Sequence, residues 1–143
     1  MIYSSACEYA LRAMSYLVEQ GPGARVLARD VSSNEKIPGP FLGKIFQTLV
    51  KGELLTSTKG PGGGFSLARS PETITLFDIR AVVDGVSDLD GCAAGLAACS
   101  DEEPCPLHDT WKPIRAQIRA YLEKTNLAQM ATAVKKKRRL MGS

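Results

Sequence analysis

The stretch KIPGPFLGKIFQTLVKGELLTSTKGPGGGFSL, residues 36–67, decides the fold. Lys36-Ile37-Pro38-Gly39-Pro40 is a turn, because two prolines around a glycine cannot continue a preceding helix. Phe41, Leu42, Ile45, Phe46 and Leu49 then recur at helical intervals, the buried stripe of a helix that stops near Lys51-Gly52. Leu54-Leu55 with Thr56-Ser57-Thr58 reads as a strand, Lys59-Gly60-Pro61-Gly62-Gly63-Gly64 as a glycine-rich turn, and Phe65-Ser66-Leu67 as the returning strand. Val26, Leu27 and Val31 mark a short helix before the turn. Two short helices across a tight turn, followed at once by a hairpin, predict a helix-turn-helix with a wing.

Working outward, Ser5 and Glu8 have capping-box spacing, and Ala6, Ala10, Ala13, Met14 and Leu17 form a helical stripe that Gly21-Pro22-Gly23 ends. Leu76, Ile79, Val82 and Val83 predict a fourth helix. Trp111, Ile114, Ile118, Tyr121 and Leu122 predict a long one, and Leu127, Met130 and Val134 a shorter continuation. The fold class is therefore mainly α with a small β-hairpin wing: a winged helix-turn-helix plus a long C-terminal dimerisation helix. Residues 1–84 form the DNA-binding domain, 85–109 a cysteine-rich loop, 110–134 the dimerisation helices and 135–143 a solvated basic tail.

The chain has 143 residues, a 44% hydrophobic share and a formal net charge of +3, enough for one folded core and unlike a disordered chain. Charge is unevenly placed. Residues 1–84 carry nine basic and eight acidic side chains, 85–109 none and six, and 110–143 nine and one. Glu8 and Arg12 interrupt the apolar run that a signal peptide needs, so a cytoplasmic protein with no membrane partner is expected. An enzyme needs a nucleophile with its base or paired carboxylates, and the single histidine sits among cysteines. No enzymatic activity is expected.

Within 25–69, seven basic residues outnumber three acidic ones, a modestly positive face. Pro40, Lys44, Gln47, Thr48 and Lys51 lie off the apolar stripe of the helix, the inventory for phosphate contacts and base-edge hydrogen bonds in a major groove. Thr58, Lys59, Gly62 and Gly63 do the same for the wing, its glycines allowing close approach of the backbone to duplex DNA. The GPGGG turn is not a nucleotide loop, since it lacks the Gly-Lys-Ser/Thr ending and no helix follows it.

Cys92, Cys99, Cys105 and His108 follow a C-x6-C-x5-C-x2-H pattern on the acidic segment. Three thiolates with a variable fourth ligand suit an iron-sulfur cluster. Zinc would be expected to begin with a closer cysteine pair, and free thiols acting as a switch need no metal at all. Cys7, inside the first helix, reads as a small packed residue.

The order helix, helix-turn-helix, GPGGG wing, cysteine loop and long helix resembles the iron-sulfur winged-helix repressors typified by IscR and NsrR. Lys59 to Phe65, the three loop cysteines, and Cys105-Pro106-Leu107-His108 leading to Trp111 carry the resemblance. It implies a homodimer paired through Trp111, Ile114, Ile118, Tyr121 and Leu122, bound to a partly palindromic operator. It also implies a cluster on Cys92, Cys99 and Cys105, with His108 as the fourth ligand of a 2Fe-2S form. Glu8 is the rival fourth ligand, falling where NsrR-like members donate a carboxylate from the partner subunit, and a 4Fe-4S form is the alternative cluster. Three departures stand out: the first cysteine interval is one residue longer than in IscR-like members, Gly43 stands where many carry an acidic base-reading residue, and Pro40 replaces a small polar one.

Overall fold

Ser4 opens the first helix. In the computed structural model, which describes residues 2–94, 96, 102 and 107–142, its hydroxyl accepts a hydrogen bond from the Cys7 backbone N–H at 3.1 Å, and α1 runs Ser5–Glu19. The expected Ser5–Glu8 capping box is thus replaced by a simple cap one residue earlier, at Ser4, and Glu8 is left exposed with no capping duty. Ser4 is held in place by Asp84, whose carboxylate accepts from its backbone N–H at 2.8 Å and from its hydroxyl.

Next come α2 (Ala28–Glu35) and α3 (Gly39–Lys51). Between them Lys36 takes a left-handed conformation, φ 55°, and buried Ile37 pins the turn to the core. Val26, expected in the second helix, instead pairs with Phe65: its N–H donates to the Phe65 carbonyl at 2.9 Å and its carbonyl accepts at 2.8 Å. A β-branched residue just ahead of a helix fits an extended ladder better than a first turn. The wing is an antiparallel hairpin of β1 (Leu55–Thr58) and β2 (Gly64–Leu67), in register Leu55 to Leu67 and Thr58 to Gly64.

The core gathers Met14 and Leu17 of α1, Leu42, Phe46 and Leu49 of α3, and Leu76 and Ile79 of α4 (Leu76–Val83), all essentially buried. The Phe46 and Phe65 rings meet at 4.6 Å between centroids, fastening wing to recognition helix. Helices α5 (His108–Lys124) and α6 (Leu127–Leu140) follow. Their joint is stitched to α4, the Leu76 N–H donating to Thr125 at 2.9 Å and the Leu127 N–H to Ile74 at 2.7 Å.

Three expectations are corrected. Leu122, placed in the dimer stripe, is fully buried in this chain's own core, because the α4 joint turns that face of α5 inward. Phe41, placed in the buried stripe of α3, is 60% exposed. Lys135 to Arg139, expected as a mobile tail, are helical. An Asn126–Gln129 capping box starts α6, its residues are strong helix formers, cations suit a helix C-terminus, and Arg138 pairs with Glu35.

Candidate nucleic-acid interface and cysteine loop

Burial of Leu42, Ile45, Phe46 and Leu49 leaves the opposite face of α3 to solvent. Pro40, Lys44, Gln47, Thr48 and Lys51 are all exposed, and their spacing of four, three, one and three residues sets them along one side of the helix. The Thr48 hydroxyl donates to the Lys44 carbonyl at 3.0 Å, which fixes its rotamer and leaves its methyl and oxygen lone pairs outward. Phe41 joins this face at the first turn, an exposed apolar ring among polar neighbours of the kind that meets a thymine methyl. Sequence periodicity assigned it inward because position 41 falls one helical turn before Ile45.

In the wing, Thr58, Lys59 and Gly62 are exposed and Gly63 half-buried. Glycine is demanded here by the hairpin itself: a Cβ on Gly63 would lie 2.2 Å from the Thr58 carbonyl oxygen, and one on Gly64 would lie 2.5 Å from that of Val26. The wing's narrow tip is therefore a backbone requirement of the hairpin. Arg25, missed by sequence reasoning, braces it by donating to the Gly62 carbonyl at 3.2 Å. Its only sequence signal is a positive charge beside Val26.

The loop begins on a firm base. Arg80, 4% exposed, donates to the Ile2 carbonyl at 2.6 Å, to the Gly85 carbonyl at 2.9 Å and to both Asp88 carboxylate oxygens at 3.0 and 2.5 Å. That bidentate pair holds the Asp88 carboxyl below the usual carboxylate range. From the other side, the Trp111 indole N–H donates to the Gly91 carbonyl at 3.1 Å and Arg115 donates to the same oxygen at 2.9 Å. The residue before Cys92 is thereby held against the first turns of α5, which His108 opens. Cys92 is half-buried and its sulfur accepts from the Ala94 N–H at 3.4 Å; His108 is 5% exposed. Cys99 and Cys105 lie outside the described residues. Glu8 lines an open groove of about 620 Å³ with Arg80, Asp84 and Asp88, on the same side as the loop base. Cys7 behaves as expected: burial, then the Asp84 charge, pushes its thiol up to about 12.

Along α5 the expected dimer stripe divides. Leu122 is core, Trp111 and Ile118 are half-buried against Ile2, Arg80 and Leu89, and Ile114 and Tyr121 are 50% and 49% exposed.

Residues 3–133 match the Rrf2 family, described as iron-dependent transcriptional regulators. The chain belongs to the Rrf2 family. A helix-turn-helix regulator homologue of Aquifex aeolicus (strain VF5) is 33% identical over 132 residues, 91% of each chain. The HTH-type transcriptional regulator IscR of Sodalis glossinidius is 30% identical over 133 residues, covering 92% of this chain and 79% of the relative. In fold, the chain is similar to CymR, the global cysteine regulator of B. subtilis, with a TM-score of 0.75 and 24% identity over 91% of this chain and 95% of that one. It is equally similar to IscR of T. potens, with a TM-score of 0.73 and 23% identity over 94% and 89%.

As an Rrf2 protein the chain is a DNA-binding transcriptional regulator. The six α-helices and two-stranded hairpin among the described residues make the family's winged-helix fold. Among the described residues no helix is long and apolar enough to cross a membrane. They hold no group of three or more His, Cys, Asp or Glu side chains placed to hold a metal ion.

Proposed function

We propose that this Rrf2 protein is a cytoplasmic, homodimeric repressor that reads a partly palindromic operator and senses redox state, nitric oxide or iron-sulfur supply through the loop from Cys92 to His108. In that reading, Phe41, Lys44 and Gln47 face base edges while Thr48, Lys51, Thr58 and Lys59 face phosphates, with Pro40, Gly62 and Gly63 shaping the approach. Ile114 and Tyr121 pair two copies, which sets the half-site spacing.

The observation that carries the sensing half is the double hydrogen bond from Trp111 and Arg115 to the Gly91 carbonyl. It joins the loop's first thiol to the helix whose outer face meets the second subunit. A change at the thiols thus bears on how α5 sits, and through the dimer on the distance between recognition helices. The donors fit an iron-sulfur cluster in kind: soft thiolates from Cys92, Cys99 and Cys105 with a buried imidazole from His108, or the exposed Glu8 carboxylate from the partner subunit. A bound cluster supplies a centre that oxidation and nitrosylation destroy. The second reading, a thiol switch with no cluster, is favoured by the fold likeness to the B. subtilis cysteine regulator.

Anaerobic purification with visible spectra and iron and sulfide analysis separates the two. Cys92→Ala, Cys99→Ala or Cys105→Ala should each remove the chromophore, and Cys7→Ala should keep it. Loss in Glu8→Ala but not in His108→Ala assigns the fourth ligand to the carboxylate. A colourless wild-type protein whose DNA affinity follows thiol oxidation establishes the switch instead.

A further inference from the structure

The last turns of α6 do something the winged helix does not require. Arg138 reaches the C-terminal residue of α2, its guanidinium donating to both Glu35 carboxylate oxygens, one at 2.8 Å, with the Glu35 side chain only 1% exposed. This buried carboxylate is compensated by that cation. The pair fastens the basic end of α6 to the element that carries the recognition helix. Around it lies an open cleft of about 940 Å³ bordered by Arg12, Lys36, Lys135, Lys136, Arg138 and Arg139. Glu35 is neutralised by Arg138, so Glu19 is the one acidic side chain in the cleft that opposes these cations.

Position gives the cleft its meaning. Lys36 is the left-handed residue between α2 and α3, two residues before the Pro38 cap of the recognition helix. A recognition helix meets the bases with its N-terminal end, so the backbone phosphates beside the read groove pass next to this turn. Lys135, Lys136 and Arg139 are exposed and continue the positive surface from Lys36 along α6. Held on a helix, they keep a fixed spacing that a mobile tail could not.

We propose that this cleft is a second DNA-contact surface, in which Lys36, Lys135, Lys136 and Arg139 grip backbone phosphates flanking each half-site. It adds affinity without reading sequence, because it carries charge and no base-edge reader. It rests on the regulator binding DNA and goes beyond the wing and recognition helix.

The test is the salt dependence of binding by the full-length dimer. K135Q/K136Q/R139Q removes the three charges while keeping polar side chains, helix propensity and the Arg138–Glu35 pair, and thermal unfolding verifies that it folds as wild type does. Each lost phosphate contact flattens the plot of log affinity against log salt by about 0.9, so the triple variant, which loses three contacts in each subunit of the dimer, should lower the slope by roughly 5, equally on operator and on scrambled duplex. Ethylation interference should lose positions outside the footprint of wing and recognition helix. Glu35→Gln, which keeps every cleft cation but unfastens α6, should lose the same outer positions. An unchanged slope in a triple variant that folds overturns the proposal. So does an unchanged slope with lost binding of inorganic tripolyphosphate, which would make the cleft a site for a free polyanion. Wild-type protein without sequence preference would overturn operator recognition instead, a separate result.

Discussion

Helices α3 and α5 are built from the same apolar periodicity and end in opposite situations. In α3, thirteen residues bury Leu42, Ile45, Phe46 and Leu49 and turn lysines, Gln47 and Thr48 outward. In α5, seventeen residues bury only His108 and Leu122, and Ile114 and Tyr121 stay half exposed. One helix is completed by its own chain. The other carries apolar surface on its outer side, and a partner is what such surface implies. The polar outer face of α3 and the apolar outer face of α5 therefore differ in chemistry, and in the proposed function the first meets phosphates and bases and the second a second copy.

The largest expected effect breaks the closed helix. Phe46→Ala removes a fully buried ring that also holds the wing through Phe65, and should cost about 3–5 kcal/mol in denaturant unfolding. Against the roughly 5–15 kcal/mol that a domain possesses, this is a large share of the total stability. Leu122→Ala should cost about 2–5 kcal/mol in the same transition, because Leu122 belongs to the same core. Were it instead to dissociate dimers while the subunit fold kept its stability, the division of the α5 stripe would be wrong.

The next effect sharpens the open helix. With α5 pairing two copies as proposed, Ile114→Asp places a charge in that interface and should weaken dimerisation by several kcal/mol, read by sedimentation, with unchanged circular dichroism. Ile118→Asp should damage both dimer and fold, since Ile118 is half-buried on its own chain beside Arg80 and Leu89. Equal behaviour of the two variants would erase the distinction between them.

These residues also show how far the sequence was legible. Periodicity placed α1, α3, α4, α5 and the wing, since a stripe at 3.6 residues or a glycine-rich hairpin is a local property. It could not tell Leu122 from Ile114, which share one stripe, because the difference arises only when Thr125 and Leu127 hydrogen-bond to the start of α4. Phe41 went astray for a related reason: at the first turn of a helix there is no preceding turn to fix which neighbours it meets. Arg138 looked like one charge in a run of five until the fold brought Glu35 to it across 103 positions. The exposure of the basic and hydroxyl residues of α3 and the wing was readable from type and spacing. Arg80, Arg25 and the anchoring role of Trp111 and Arg115 were not, because each works through a carbonyl contributed by a distant segment.

The smallest effect extends the contrast to the cysteines. Cys7 sits in the closed part of the molecule, 1% exposed, and keeps its proton to about 12 in the fold against an ordinary value near 9. Cys92 sits on the α5 side, half-buried at the loop base. Above pH 9 the unfolded chain releases the Cys7 proton while the native state retains it, so the native state binds more protons and stability falls as pH rises. The stabilisation is complete below pH 9 and lost progressively up to about 12. At pH 10 the loss is about 1 kcal/mol relative to pH 8. Cys7→Ala lacks this group, and lysines and tyrosines titrating in the same range are common to both proteins. The stability gap between wild type and Cys7→Ala should therefore narrow by about that amount between pH 8 and pH 10 in urea unfolding. With no thiolate near neutrality, Cys7 should also resist alkylation in the native protein at pH 7 and react only on unfolding. A gap that stays constant with pH, or rapid native alkylation at Cys7, would show that α1 is open where it now looks closed, and would return Cys7 to the candidates for the sensing thiols.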